Sequence, residues 1–265
     1  MRMCSIASGS SGNCIYVGSD CAHILIDDGI SCKRTIEGLN ALGLDGNDID
    51  AIFVTHEHSD HIAGLKVISK KYGIPIYATA GTIDGIRYGR TPCNIDGSLF
   101  NVVKADEKIV LKDLVINPMK ISHDAKEPVA YRVYNDGKKV GVITDLGTYD
   151  DYTLGCLQGM DVILAEANHD IRMLEVGPYP YPLKKRILGN KGHLSNDNCG
   201  RMLSQLLNDN IKHLFLGHLS QENNLPELAY ETVRLEIEAS DTPYGGNDFP
   251  ITVARRDRPT QAIEF

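Results

Sequence analysis

Ala51-Ile-Phe-Val-Thr-His56-Glu-His58-Ser-Asp60-His61-Ile-Ala-Gly64 decides the reading of this chain. The apolar run from Ala51 to Val54 is that of a buried strand. It breaks at Thr55, and Ile62, Leu65, Ile68 and Tyr72 then recur at helical spacing. Three histidines and an aspartate therefore occupy the turn between a strand end and a helix start, rigid on both sides and open to solvent in the middle. Alternate residues of such a turn, His56 and His58, can point to one side and chelate one ion, while Asp60 and His61 project towards a second position. Neutral imidazole with carboxylate suits zinc, manganese or iron(II), whereas thiolate-only or all-oxygen sets would point to other ions.

Upstream of this motif, residues 1–7 and 13–18 read as strands around Ser8-Gly-Ser-Ser-Gly-Asn13. That turn serves either as a plain hairpin loop or, its amides being unhindered, as an anion contact. Ala22 to Ile26 is a third strand, ending at Asp27-Asp28-Gly29, and Ser31 caps a helix to about Leu42. Downstream, Ile74 to Ala78 reads as strand, Thr79 to Gly89 as helix and 91–100 as loop. A period of two then gives strands at Asn101–Val103, Ile109–Leu111, Leu114–Ile121, Val129–Tyr134 and Lys139–Thr144, with a hairpin turn at Asn135-Asp136-Gly137. Asp161 to Glu166 is a buried strand. Ser195 caps a helix with one apolar stripe (Cys199, Met202, Leu203, Leu206, Leu207), Ile211 to Leu216 is a strand, and Pro226 opens a helix to about Ala239. Ile251 to Ala254 is a last strand. Strands with interspersed helices in both halves predict an α/β fold of two face-to-face sheets with helices outside, one domain over residues 1–265.

Three predicted strands end in ligand-type side chains: His123 after Leu114–Ile121, Asp145 after Lys139–Thr144, and His218 after Ile211–Leu216. Taken singly, each is an ordinary polar strand end. Strand ends of layered sheets converge on one edge, where α/β folds place their ligands. With the central motif they make seven ligand side chains, enough for two ions with open positions.

The seven cysteines (Cys4, Cys14, Cys21, Cys32, Cys93, Cys156, Cys199) are odd in number and lack any C-x-x-C spacing, so free thiols in a reducing cytoplasm are expected rather than a zinc site. The N-terminus has no long apolar segment of a secretory signal, and no apolar run reaches membrane-spanning length. A formal charge of −8 argues against broad attraction to anionic membranes or nucleic acid, although two divalent ions would halve it inside the cleft.

The order Asp27-x-Gly29, His56-x-His58-x-Asp60-His61, His123, Asp145, His218 resembles the five motifs of the metallo-β-lactamase fold superfamily and covers most of the chain. The resemblance implies a four-layer αβ/βα sandwich with the metals at one edge of the sheets. It implies one divalent ion, zinc before manganese, on His56, His58 and His123, and a second on Asp60, His61 and His218, with Asp145 bridging and Asp27 behind the ligands holding the histidine loop. Ser8-Gly-Ser-Ser-Gly-Asn13, Asn168-His169-Asp170, Gly192-His193-Leu-Ser-Asn196 and Gly217-His218-Leu-Ser220 are similar to the YycJ/WalJ-like group, a cytoplasmic and nuclease-like branch. Glu166 and His193 resemble the proton-donating couple of tRNase Z-type phosphodiesterases.

These parts imply a phosphodiesterase or exonuclease acting on DNA or RNA, with a hydroxide between the ions as nucleophile and Asp60 orienting it or taking its proton. His193, held as imidazolium by Glu166, would protonate the poor leaving oxygen. His23, His169 and His213 are left as structural or solvent-facing. Lys184, Lys185 and Arg186, preceded by Tyr179 and Tyr181, and Ser195 are candidate substrate contacts, although a charge run is more often solvated surface. The stretch from Asp145 to His218 leaves no room for an inserted clamp domain of the RNase J kind. The competing reading is a small-molecule hydrolase acting on a cyclic phosphodiester or thioester. A non-catalytic module is disfavoured by the complete ligand set.

Overall fold

The computed structural model describes residues 1–89 and 92–265. Their contacts divide into two compact units: Met1–Lys120 with Ala125–Gly137 and Arg255–Phe265, and Ile121–Asp124 with Lys138–Ala254.

The first unit opens with β1 (Arg2–Ala7), β2 (Cys14–Gly18) and β3 (His23–Ile26), followed by α1 (Cys32–Ala41) and β4 (Ala51–Phe53). Two helices, α2 (Ser59–Ile62) and α3 (Leu65–Tyr72), precede β5 (Ile76–Thr79), α4 (Ala80–Tyr88) and β6 (Phe100–Val103). With β14 (Ile263–Glu264), these strands form one sheet in the order β14-β1-β2-β3-β4-β5-β6. The β14-β1-β2-β3 pairs are antiparallel and the pairs from β3 to β6 parallel. A separate antiparallel run joins β7 (Ile109–Leu111), β8 (Leu114–Lys120) and β9 (Val129–Asn135). Ile6, Leu25, Ile52 and Ile76 from the strands pack with Leu39, Leu65, Ile68 and Ile86 from the helices. Each such fully buried side chain contributes about 1.5–3 kcal/mol.

The single helix expected after the histidine motif is two helices. Gly64 packs against the chain after β3: its N–H donates to Asp28 O at 2.8 Å, and a Cβ there would lie 2.0 Å from Ile30 O. The helix gives way to that approach. Thr79 caps α4 as its sequence suggests. Of the loop expected over 91–100, Thr91 lies outside the described residues, 92–96 is coil, and a 3-10 turn at Gly97–Leu99 leads into β6. The turn at Asn135-Asp136-Gly137 is present, with φ of 45° at Asp136 and 78° at Gly137, the signs a tight I′ turn requires.

The second unit carries four parallel strands, β10 (Lys138–Ile143), β11 (Val162–Glu166), β12 (His213–Gly217) and β13 (Ile251–Val253), in that order. Every residue of β11 and β12 is buried, as a central parallel strand requires. The connections are α5 (Asp151–Leu157), α6 (Ile171–Val176), α7 (Tyr181–Ile187), α8 (Asn196–Ser204) and α9 (Pro226–Glu238). Ser195 caps α8, and Cys199, Met202 and Leu203 are buried from it, as expected. Among the described residues, no helix is long and apolar enough to cross a membrane.

Candidate metal centre

In the first unit the site grows from the ends of two paired strands. Ile26 of β3 lies beside Phe53 of β4, so Asp27 and Thr55 follow side by side. Asp27 is buried and takes a left-handed backbone, φ 61°. Its Oδ1 accepts from Thr55 N–H at 2.8 Å, and its Oδ2 accepts from the Thr55 hydroxyl at 2.9 Å and from His61 Nδ1 at 2.7 Å. With that hydroxyl donating to Asp27, its oxygen is left to accept from His56 Nδ1 at 3.0 Å. Both imidazoles are therefore held through Nδ1, the arrangement that presents Nε2 to an ion. The rings of His56 and His58 lie 4.6 Å apart and those of His56 and His61 4.1 Å apart. Asp60 Oδ2 stands 3.4 Å from His61 Nε2. The glycine-serine turn is tied to this loop. Asn13 folds the turn by accepting from Gly9 N–H, its own N–H donates to Asp60 O at 2.8 Å, and its amide reaches His61 Nε2 at 3.3 Å. Gly29 closes the same seam, where a Cβ would fall 1.6 Å from Asp60 O.

In the second unit, Asp145, Glu166 and His218 stand at the carboxyl ends of three adjacent parallel strands. Ile143 pairs with Ala165, and Glu166 with Gly217. Asp145 and His218 both adopt left-handed backbones, φ 59° and 57°. Asp145 Oδ1 lies 3.5 Å from His218 Nε2, 3.7 Å from His123 Nε2 and 3.5 Å from His193 Nδ1. His123 is held through Nδ1, which reaches Gly192 O at 3.1 Å.

Glu166 is fully buried and meets four donors. Oε1 accepts from His193 Nδ1 at 2.8 Å and His218 Nδ1 at 2.9 Å, and Oε2 from Leu146 N–H at 2.6 Å and Leu194 N–H at 3.2 Å. Burial alone would raise the Glu166 pKa, but His193 and His218 outweigh it and bring it down to about 2. The same partnership acts on His193 in reverse: burial pulls its pKa down, the Glu166 carboxylate and Asp145 push harder, and the result is raised. Its side chain is 16% exposed, which leaves the ring a route to solvent that Glu166 lacks.

Ligand atoms about 2.1 Å from a common tetrahedral ion stand about 3.4 Å from one another. The separations from Asp145 Oδ1 to the Nε2 atoms of His123 and His218 match that spacing, and in both units the Nδ1 atoms are held by protein oxygens. The residues fit a divalent cation.

The sequence model described as the β-lactamase superfamily domain matches residues 23–218. The chain belongs to the metallo-β-lactamase superfamily. Over 241 residues it is 36% identical to the exodeoxyribonuclease YycJ of Bacillus anthracis, covering 88% of each chain. It is also 36% identical over 260 residues to the exodeoxyribonuclease WalJ of Streptococcus pneumoniae, covering 98% of this chain and 96% of that one. The zinc-bound crystal structure of PqqB from Methylobacterium extorquens superposes with a TM-score of 0.73 at 15% identity, over the whole of both chains, and shares the fold. The chain therefore has the mixed α/β fold of two sheets flanked by helices, and it is a metal-dependent hydrolase.

Several expected substrate contacts are otherwise engaged. Arg186 forks onto Asp124, Nη2 to Oδ1 at 2.9 Å with Nε on Oδ2, and so braces the segment carrying His123. Lys184 Nζ donates to Glu175 O, and Ser195 is buried with its hydroxyl spent on the α8 cap. Lys185 and Tyr181 remain exposed. His23 pairs with Tyr16 and His213 with Thr252, structural as read. His169 is buried, with burial lowering its pKa to about 4, and is not solvent-facing. Asn168 belongs to a motif singled out in the sequence, although without a role, whereas sequence reasoning did not find Asn224. Asn168 Nδ2 holds His218 O at 2.8 Å, and Asn224 bonds Ala167 O, Asn168 O and the Asn196 amide, tying the loop after β11 to the start of α8. The pair Asn223-Asn224 five residues beyond His218 is the signal that could have raised Asn224.

Proposed function

We propose that this member of the metallo-β-lactamase superfamily is a phosphodiesterase that cleaves DNA from an end. In this reading His56, His58 and His123 hold one divalent ion, and Asp60, His61 and His218 hold a second, with Asp145 shared. Zinc is the first choice and manganese the second, since the donor set accepts both. Ions bound there supply Lewis acidity at the phosphoryl group and water of lowered pKa. Asp60 orients the attacking water or takes its proton. The observation that carries the reading is the Glu166–His193 pair, whose Nδ1 to Oε1 separation is 2.8 Å. A buried carboxylate that keeps an imidazole protonated beside the ligands suits a reaction whose leaving oxygen needs a proton, which a DNA 3′ or 5′ oxygen does and a thiolate does not. The two exodeoxyribonuclease relatives, aligned over nearly the whole chain, support DNA as the polymer.

Exposed Tyr181 and Lys185, one helical turn apart on α7, suit contact with the strand, and Arg186 and Lys184 set that helix in place. We take residues 1–265 as one functional domain, because each compact unit is assembled from separated segments of chain. We place the protein in the cytoplasm on its odd cysteine count and the lack of any C-x-x-C spacing.

The test compares wild type with His193→Ala on end-labelled DNA and on bis-p-nitrophenyl phosphate, with zinc or manganese. The variant should lose DNA cleavage by about 10²–10⁴-fold while retaining metal and much of its activity on the activated ester, whose leaving group departs without a proton. Cleavage of a thioester alone, or DNA cleavage undiminished in the variant, would overturn the reading.

A further inference from the structure

Glu166 is expected to serve the proton donor, yet its Oε1 is shared: His193 Nδ1 and His218 Nδ1 reach the same oxygen at 2.8 and 2.9 Å. The other oxygen is not available to divide the work, because Leu146 N–H and Leu194 N–H occupy it. Leu146 directly follows Asp145, and Leu194 directly follows His193. One buried carboxylate therefore fixes His193 and His218 by their rings, and Asp145 and His193 through the backbone beside them. We propose that Glu166 is a positioning residue for metal retention as well as for proton donation, so that both properties are lost together when it is changed.

The chemistry follows from valence. An imidazole that donates through Nδ1 to a carboxylate keeps its Nε2 lone pair and a fixed ring plane, the state in which it ligates a cation. His218 has that arrangement, its Nδ1 lying 2.9 Å from Glu166 Oε1. Asn168 Nδ2 lies 3.4 Å from that Nδ1 but is itself a donor and cannot accept its proton; it donates instead to the His218 carbonyl at 2.8 Å. Glu166→Gln offers one acceptor oxygen and one amide in place of two oxygens. It can serve the imidazoles or the two backbone amides, not both.

The inference rests on the proposed ligand set, but it is separable from the proton-donor reading. Zinc retention is measured against a competing chelator for wild type, His193→Ala and Glu166→Gln, with metal-free melting by circular dichroism as the control for folding. Loss of a partner hydrogen-bonded behind a metal ligand typically lowers affinity about 10–100-fold. Glu166→Gln should show that loss and His193→Ala should not, whatever either does to DNA cleavage. Should Glu166→Gln fail to fold, wild type labelled at the histidine ring nitrogens decides the matter. A slowly exchanging proton on His218 Nδ1 in the zinc-loaded protein is expected, and its absence overturns the proposal. Zinc held by folded Glu166→Gln as tightly as by wild type overturns it equally. Proton-donor failure alone, seen as undiminished DNA cleavage in His193→Ala, leaves the retention result standing.

Discussion

Asp27→Asn tests whether the histidine loop is held from behind. Asparagine tolerates the left-handed φ of 61° about as well as aspartate, so the backbone is not what the substitution perturbs. One amide oxygen can still accept from Thr55 N–H, now at 2.8 Å from Oδ1. The amide nitrogen then faces His61 Nδ1, which donates to Oδ2 at 2.7 Å in the parent. Two donors cannot share that contact. Either the bond is lost, or His61 moves its proton to Nε2 and ceases to be a ligand. Loss of one hydrogen bond to a charged group costs about 2 kcal/mol. For a chain of this length that is a fall in melting temperature of about 4–8 °C. Zinc affinity should drop about 10–100-fold, because the brace behind the ligand is gone. Melting of the metal-free protein and a chelator competition read the two effects separately. A variant that melts lower but holds zinc as tightly as the parent would refute the reasoning, since the Asp27–His61 contact would then serve the fold and not the ion.

The proposed role of His193 as proton donor makes a prediction in pH. His193 is raised above its ordinary 6.5, Glu166 and Asp145 outweighing its burial, so its acid form persists to higher pH and is lost as pH rises through that value. The alkaline limb of kcat/KM on DNA should therefore move to lower pH in Glu166→Gln and disappear in His193→Ala, while the activated ester shows neither change. On α7 the two cations should separate. Lys185→Ala should weaken DNA binding and reduce the slope of log affinity against log salt by about 1, as one lost phosphate contact does. Arg186→Ala should instead lower turnover at every salt concentration, because its fork to Asp124 braces the His123 segment; a salt slope reduced by about 1 there would argue for direct contact.

Much of this was legible from residue order. The buried run before Thr55, the caps Ser31, Thr79 and Ser195, and the strands ending near His123, Asp145 and His218 all follow from local pattern, which is strong where apolar period and turn chemistry agree. Three helices were not read. Helices α5, α6 and α7 are six or seven residues long, too short for a periodic stripe, although Asp150 and Asp170 cap the first two in the ordinary way. The strand β14, two residues long, is defined only by Met3 and Arg2 across from it, a pairing no local pattern reveals. The sharing of one Glu166 oxygen by two imidazoles was equally out of reach, since it depends on side-chain direction at residues 27 and 52 positions further along the chain.

The strand ends share a device that explains why ligand-type residues stand there at all. Asp27 follows β3, Asp145 follows β10 by two residues, and His218 follows β12 by one, and all three have φ between 57° and 61°. Outside glycine such a conformation is uncommon and costs of order 1 kcal/mol or more, so it persists only where neighbours over-determine it. Here they do. Asp27 N–H is fixed to Phe53 O and its carboxylate to Thr55, His218 O is held by the Asn168 amide, and the residue after Asp145 is held by Glu166. A left-handed residue turns the chain sharply at the strand end, and a short polar side chain or an imidazole can then engage its neighbours at the edge of the sheet instead of packing on a face. Glycine at these positions would relieve the strain and remove the side chain that makes those contacts. Leucine would keep the bulk and abolish the reason for it. The strain at each of these strand ends is thus offset by the hydrogen bonds that fix the residue there.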